Sequence, residues 1–595
     1  MRASCTLAST GASALHTPRL LVDKTGAIAD LLSFMYHHSR VYFARPRGFG
    51  KATTLDTAGQ MLAAGALPPG VKPWPGYRAV CAQAQFGGQQ VHSRLLAGDA
   101  TLGTLLQRPH FVVRLRLGSA QSGSQLHSAI RGGIAEAAAE AFGRRVRASV
   151  RQMCTPSGAL GALADAVPSA VPLALLVDGY DAAITQDVAR GHWDAAHAGV
   201  LAMYSLAMAT KCLNTGSHIG ICLFAGQARL AGAHANNFLD LTAHPLLSRA
   251  LGLSEAEVRG TYPAQLQSLA ASQGRSQDSA VQHLQHWHGG HCFDGASSSM
   301  SPAPVLAALR TAGSSPVVGG EGGSHFWLGL PPQQLLADLA GTGLGESSVG
   351  AAAADTQAEE VEALPLLLQT GLLSLHPLSQ PSSREARGCG EQEWLGSATD
   401  PIGPPNQAAR EALLRAVAAM AGMSWEALQQ CSQRLAAGLQ ARCQASCQSA
   451  LHQALSAAAA AAPLHSSPEQ GEDACHTLLH SLLLGSLPLQ LGSVHCQWAC
   501  VRGGPADLLV RLQGCPGSPG SSPTGSAVWI LEVGRGATEE ELLARAEQGK
   551  ACAQSYAAEE QAVVCAVGVD RAGGGASFQW CQRAAGSSVW EQGKA

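Results

Sequence analysis

The stretch Arg40-Val41-Tyr42-Phe43-Ala44-Arg45-Pro46-Arg47-Gly48-Phe49-Gly50-Lys51 decides how the first part of the chain folds. Residues 40–44 form a short β-type run, residues 45–50 a loop holding two glycines, and from Lys51 a helical pattern continues through Leu62. Working outward, further β-type runs stand at residues 111–117, 173–177 and 219–224, with Ala-rich helical stretches between them. Strands alternating with helices predict an α/β domain on a parallel sheet, because parallel neighbours need a long crossover and a helix supplies it. Beyond Glu255 the pattern turns helical and interrupted, with Gly/Ser-rich breaks at 312–324 and 378–392 that read as surface loops. Helices are predicted at 407–420 and 425–455; the alanine run 457–462 and Pro463 close that region, and a further unit starts near Glu472.

With 595 residues the chain exceeds what one hydrophobic core organises, so two or more domains are predicted. Hydrophobic residues make up 46% and charged residues only 14%, while 67 Gly and 30 Pro point to long irregular connections, part of them disordered. A formal charge of −3 leaves no global electrostatic footprint for nucleic acid, so any such contact is local. The 17 cysteines include no Cys-x-x-Cys and follow no secretory h-region, which favours reduced thiols and an intracellular protein. Arg2, Arg19 and the lack of acids before Asp23 fit either an organellar transit segment or a disordered extension. No apolar run reaches the roughly 18 residues of a membrane span.

Gly50-Lys51 after a strand is by itself compatible with an ordinary strand–helix turn. Its neighbours are more specific. Val22-Asp23-Lys24-Thr25 and Phe43 to Lys51 resemble the "VDKT … F-x-RPRRFGKS" opening of the bacterial-type family that joins an AAA-ATPase-like P-loop domain to a PD-(D/E)XK nuclease-like domain. The matches continue in order. Leu175 to Asp181 is similar to "LLIDEYD", Asn236 to Asp240 to "NNLxD", and Gly252 to Val258 to "GFTEEEV". Trp287 to Phe293 is similar to "WYNGYxF" and Leu368 to Leu373 to "YQTGYLT", and Pro405-Asn406 matches a later Pro-Asn. The resemblance implies a P-loop NTPase-like parallel sheet with a helical extension, then a restriction-endonuclease-like α/β domain. The boundaries it suggests are 1–20 for an N-terminal extension, 21–260 for the P-loop domain, 261–420 for the helical extension, 421–465 for an Ala-rich linker and 466–595 for the nuclease-like domain.

For the first domain the resemblance implies ATP and Mg²⁺ as ligands. Gly48, Gly50 and Lys51 would face the phosphates and Asp178 would serve as the Walker B acid, since glycine loops cradle phosphates and the lysine reaches their outer oxygens. Asp181 either assists there or is a solvated loop acid, and Arg45 and Arg47 either touch phosphate or pair within the loop. Three positions depart from the family pattern. Ala52 replaces the Mg²⁺-ligating hydroxyl, with Thr53 turned about 100° away around the helix; Gly179 replaces the glutamate that activates water; and Ala225 replaces a threonine. Positioning and charge stabilisation are most of phosphoryl-transfer catalysis, so nucleotide binding with weak or no hydrolysis is predicted.

At the C-terminal end, Gly504 to Val510 resembles "GRSDLVL" and Val528 to Glu532 the strand ending in "ExK", which implies Asp507 and Glu532 as catalytic acids and Mg²⁺ ligands. Gly534 stands where the family has its lysine; Arg535 falls on the opposite strand face, and Lys550 is a distant substitute. Glu472 and His476 resemble a helix-borne "ExxYH", and Ala546, Gln548 and Tyr556 a later helix. His283, His286, His288, His291 and Cys292 fit no closed zinc pattern and read as aromatic replacements within a packed segment; Cys443 and Cys447 read as an apolar helical pair. The predicted function is nucleotide-dependent recognition of a nucleic acid or a protein partner, with an active ATP-dependent Mg-nuclease or a non-catalytic scaffold as alternatives.

Overall fold

The computed structural model describes residues 22–310 apart from 75–76, 78–84, 108, 190–191, 215–218, 228–237 and 295, and beyond them short stretches between 374 and 594, chiefly 406–420, 423–440 and the elements from 492 onward. The chain divides into two compact units, residues 1–329 and 330–595.

The first unit is built on a five-stranded parallel sheet of β1 (Arg40–Ala44), β2 (Phe111–Arg116), β3 (Leu173–Asp178), β4 (Ile219–Gly226) and β5 (Leu239–Asp240), in the order β2-β3-β4-β1-β5. The β-type runs expected from sequence all lie in this sheet. Its central strands are nearly continuous runs of apolar residues because both faces are covered. On β3, Leu173, Leu175 and Val177 pack into one core, and Ala174 and Leu176 into the other. Period two divides β1 in the same way, with Tyr42 on one side and Val41 and Phe43 on the other. Helices α1 (Thr25–His37) and α2 (Lys51–Ala63) cover the second face, while helices Gly123–Phe142, Pro156–Ala164 and Trp193–Asn214 cover the first.

A smaller core of Leu253, Val258, Tyr262, Leu266, Val281, Leu284 and Met300 gathers four helices, Glu255–Thr261, Pro263–Ser272, Gln277–His288 and Pro302–Arg310, within the same unit. Two of the family-like motifs have structural work at this junction. Asp23 Oδ1 accepts from the Thr25 backbone and hydroxyl at 2.9 and 2.6 Å, and its Oδ2 accepts from Gln90 N at 2.8 Å, so one carboxylate satisfies the N-terminal donors of two helices. Lys24 Nζ reaches Glu257 at 2.6 Å, and Glu257 closes a capping box with Ser254.

The two-residue strands β6 (His291–Cys292) and β7 (Ser298–Ser299) pair antiparallel in the first unit, as do β8 (Ser374–Leu375) and β9 (Ile402–Gly403) in the second, where β10 (Gly492–Cys500), β11 (Gly504–Leu512), β12 (Ala527–Arg535), β13 (Gln561–Val569), β14 (Ala576–Arg583) and β15 (Glu591–Lys594) form one sheet in sequence order. Every neighbouring pair is antiparallel except β12 and β13, which are parallel and joined by helix Glu539–Tyr556. Helices Gln407–Met420 and Trp425–Gln440 also belong here; Asn406 Oδ1 caps the first by accepting from Ala409 N at 3.0 Å. The sequence matches at 236–237, 368–373 and Pro405, the predicted loops at 312–324, 378–392 and 514–526, the alanine run 457–462, and Glu472, His476, Cys443 and Cys447 lie outside the described residues.

Candidate functional site

Strand β1 ends at Ala44 and α2 starts at Lys51, so the six residues between them turn the chain at the carboxyl edge of the sheet. Gly48 and Gly50 take φ values of 85° and 90°, left-handed backbone that a side chain would strain. Gly50 caps α2 without a side chain and leaves its first amides uncovered. Lys51 is buried, and its ammonium folds back onto the loop, donating to the carbonyls of Arg45 and Pro46 at 2.7 and 2.9 Å. Burial pushes the Lys51 pKa down to about 8, against the pull of Asp181 and Asp178 and with a further push from Arg45 and Arg47.

Asp178 closes β3, two strands from β1, with β4 between them. Its register partner on β4 is Ala225, which is also the partner of Phe43 on β1. Burial raises the Asp178 pKa, opposed by Lys51, Arg116 and Arg114. Asp181 is fully buried and accepts from Gln227 N at 2.7 Å, so the solvated-acid alternative for it is overturned: it holds the turn after β4 and sits in electrostatic reach of Lys51. Gly48, Gly50, Lys51, Asp178 and Asp181 therefore occupy one end of the sheet.

The substituted positions have their own geometry. Ala52 and Thr53 are both exposed, and Ala52 offers only a methyl group. Gly179 has φ +69°, and a Cβ placed on it would lie 3.0 Å from Gly118 N and 3.1 Å from Gly118 Cα. A glutamate at this position would need a different backbone, because the chain there is shaped for glycine.

Arg45 does not present its guanidinium to a phosphate. It is 1% exposed, donates to the carbonyls of Ala44 and Thr242, and lies 4.2 Å from the centre of the Phe293 ring. Burial lowers its pKa, offset by Asp294, Asp240 and Cys292. Phe49, at the tip of the loop, packs edge-on against His291 and Phe293 with ring centres 4.9 and 5.5 Å away. Arg47 is the exposed cation of the pair. The histidine-containing segment therefore packs on the glycine loop. His291 is held neutral, its pKa pushed down to about 3 first by burial and then by His288. Among the described residues there is no group of three or more His, Cys, Asp or Glu able to hold a metal.

Sequence reasoning passed over one charged cluster. Arg114 and Arg116 on β2 both pair with Asp56 of α2, Arg116 at 3.2 Å, and Arg116 is the register partner of Asp178. Their i, i+2 spacing within a strand was the available signal, since it puts both on one face.

In the second unit, β11 and β12 pair from Leu512 and Ala527 to Leu508 and Leu531, and Asp507 and Glu532 are the next residue of each strand beyond that last pair. Gly534 falls opposite Gly568 of β13. Lys550, the substitute cation considered from sequence, is buried and donates to Glu547 at 2.6 Å. Burial lowers its pKa, but the contacts with Glu547 and Cys581 outweigh that and raise it. Cys581 lies on β14, two strands from β12, so the committed partners of Lys550 are away from the strand that carries Glu532. Among the described residues no helix is long and apolar enough to cross a membrane. The chain matches no family model, no curated protein and no solved structure.

Proposed function

We propose that the first unit binds ATP in the manner of a P-loop module with little or no hydrolysis, and that the second is a nuclease-like module whose cleavage chemistry is reduced or lost. The single observation that carries the first part is the placement of Lys51. A buried ammonium at the start of a helix that follows a parallel strand, 2.7 and 2.9 Å from its own loop carbonyls, occupies what suits a phosphate-binding loop. Ligands of open parallel sheets bind beyond the carboxyl ends of the strands, and Lys51, Asp178 and Asp181 are all there. Ala52, Gly179 and Ala225 supply neither a metal-ligating hydroxyl nor a water-activating acid, which argues against efficient turnover.

For the second unit, the support is that Asp507 and Glu532 lie on adjacent strands, each next to the last residue of the Leu508–Leu531 pairing, with a parallel β12–helix–β13 crossover following. Gly534, together with a Lys550 held by Glu547, argues against cleavage by displaced residues. The combined role we favour is nucleotide-dependent recognition of a nucleic acid, with a protein partner as the alternative. Calorimetry with ATP on the wild-type chain and Lys51→Ala tests the first part: heat of binding that disappears in the variant supports it, and binding unchanged by the substitution removes it. A fluorescent oligonucleotide titrated with and without ATP tests the second.

A further inference from the structure

We infer that the nucleotide site of the first unit works without Mg²⁺, the Arg116 guanidinium, steadied by Asp56, supplying positive charge that a metal ion would otherwise bring. The inference rests on the nucleotide-binding proposal above.

The donor set does not fit the metal. Mg²⁺ demands a near-octahedral shell of oxygens, supplied by one or two protein groups together with phosphate and water. Ala52 presents a methyl group at the first helical turn, Ala225 a buried methyl group, and Gly179 no side chain. Of the two carboxylates at this edge, Asp181 is fully buried and holds Gln227 N, which leaves Asp178 as the donor in register with these positions.

The surroundings of Asp178 are cationic. Arg116 is its direct partner on β2, and Arg114, two residues earlier, shares the strand face. Both reach Asp56, which stands four residues after Ala52 on the same face of α2, about 6 Å along the axis. The Arg116 guanidinium is thereby held about one helical turn from the position where the metal-ligating hydroxyl is missing. A dication beside Asp178 would meet two guanidiniums and the Lys51 ammonium, whereas a polyphosphate would be attracted by all three. Arg116 is 45% exposed, so it can exchange a contact with Asp56 for a phosphate oxygen while Arg114 continues to neutralise Asp56. A planar guanidinium also matches phosphate geometry.

The experiment is a calorimetric titration of ATP into the full chain in EDTA and again in excess Mg²⁺, repeated with Arg116→Ala and Arg116→Lys. The expected result is the same Kd in both buffers within about two-fold, a loss of roughly ten-fold or more in Arg116→Ala as expected for one charge-assisted contact, and partial recovery in Arg116→Lys. Tightening of ten-fold or more by Mg²⁺ overturns the inference and leaves the nucleotide-binding proposal standing, as does an Arg116→Ala variant that binds like wild type. Absence of binding in both buffers defeats the nucleotide-binding proposal itself. A melting curve on each variant separates loss of the contact from loss of the fold, and Arg116→Lys carries the test if Arg116→Ala does not fold.

Discussion

Raising the pH from 7 to 9 should weaken ATP binding by about ten-fold through Lys51 alone. Its pKa in the free protein is lowered to about 8 by burial, and the phosphate contact requires the ammonium form. At pH 7 roughly nine-tenths of the molecules carry that charge, and at pH 9 roughly one in eleven. Apparent affinity scales with the binding-competent fraction, so the loss between these values is about ten-fold, or about 1.4 kcal/mol. A phosphate ionisation near pH 6 is about nine-tenths complete at pH 7, so the ligand gains little charge above it. Arg45 and Arg47 lower the Lys51 pKa further, and Asp181 and Asp178 oppose that shift without removing it. The assay is calorimetry in matched buffers at half-unit steps, with Lys51→Arg as the control because a guanidinium does not titrate there. A wild-type Kd that stays flat from pH 7 to 9, or a Lys51→Arg variant that falls in parallel with wild type, would refute the reasoning. The linked effect on folding has a definite sign: between about 8 and 10.5 the unfolded chain holds a proton that the folded chain has released, so this residue makes stability rise with pH in that window.

Three further outcomes follow from the geometry. Gly179→Glu should not restore turnover and should lower stability by about 1–3 kcal/mol, because φ +69° and the nearby Gly118 backbone both oppose a side chain; urea denaturation with a phosphate-release assay checks both halves. Phe49→Ala should cost about 3–5 kcal/mol, since the ring is 2% exposed and packs on His291 and Phe293; a chemical denaturation midpoint within error of wild type would show that the loop does not depend on that packing. Asp181→Asn removes the leading charge that favours the Lys51 ammonium, so the midpoint of the pH-dependent loss of ATP affinity should move below 8; a midpoint that stays in place would detach Asp181 from the site.

Much of the first unit was legible along the chain because its strands obey simple patterns. The runs at 40–44, 111–117, 173–177 and 219–224 all became strands of one parallel sheet, and the helix starting at Lys51 began where the glycine loop ends. Continuous apolar runs announce strands buried on both faces, and that is a property of local sequence. The order β2-β3-β4-β1-β5 was not readable, since pairing depends on contacts between residues far apart in the chain. At the second site, Asp507 and Glu532 were named from motif alone; the paired register of β11 on β12 ends at Leu508 and Leu531, the residues next to them.

What the sequence by itself determined was the identity of the chemistry: which residues carry charge at the ends of strands, and that Ala52, Gly179, Ala225 and Gly534 carry none. Only the tertiary structure decided how those charges are used. Asp181 changed from a possible surface acid to a buried one, Arg45 from a phosphate candidate to a guanidinium under Phe293, and Asp56, Arg114 and Arg116 became one cluster next to Asp178. The reason is physical: the free energy of a charge depends on its desolvation and on partners within a few ångströms, and in this chain those partners come from other strands and helices.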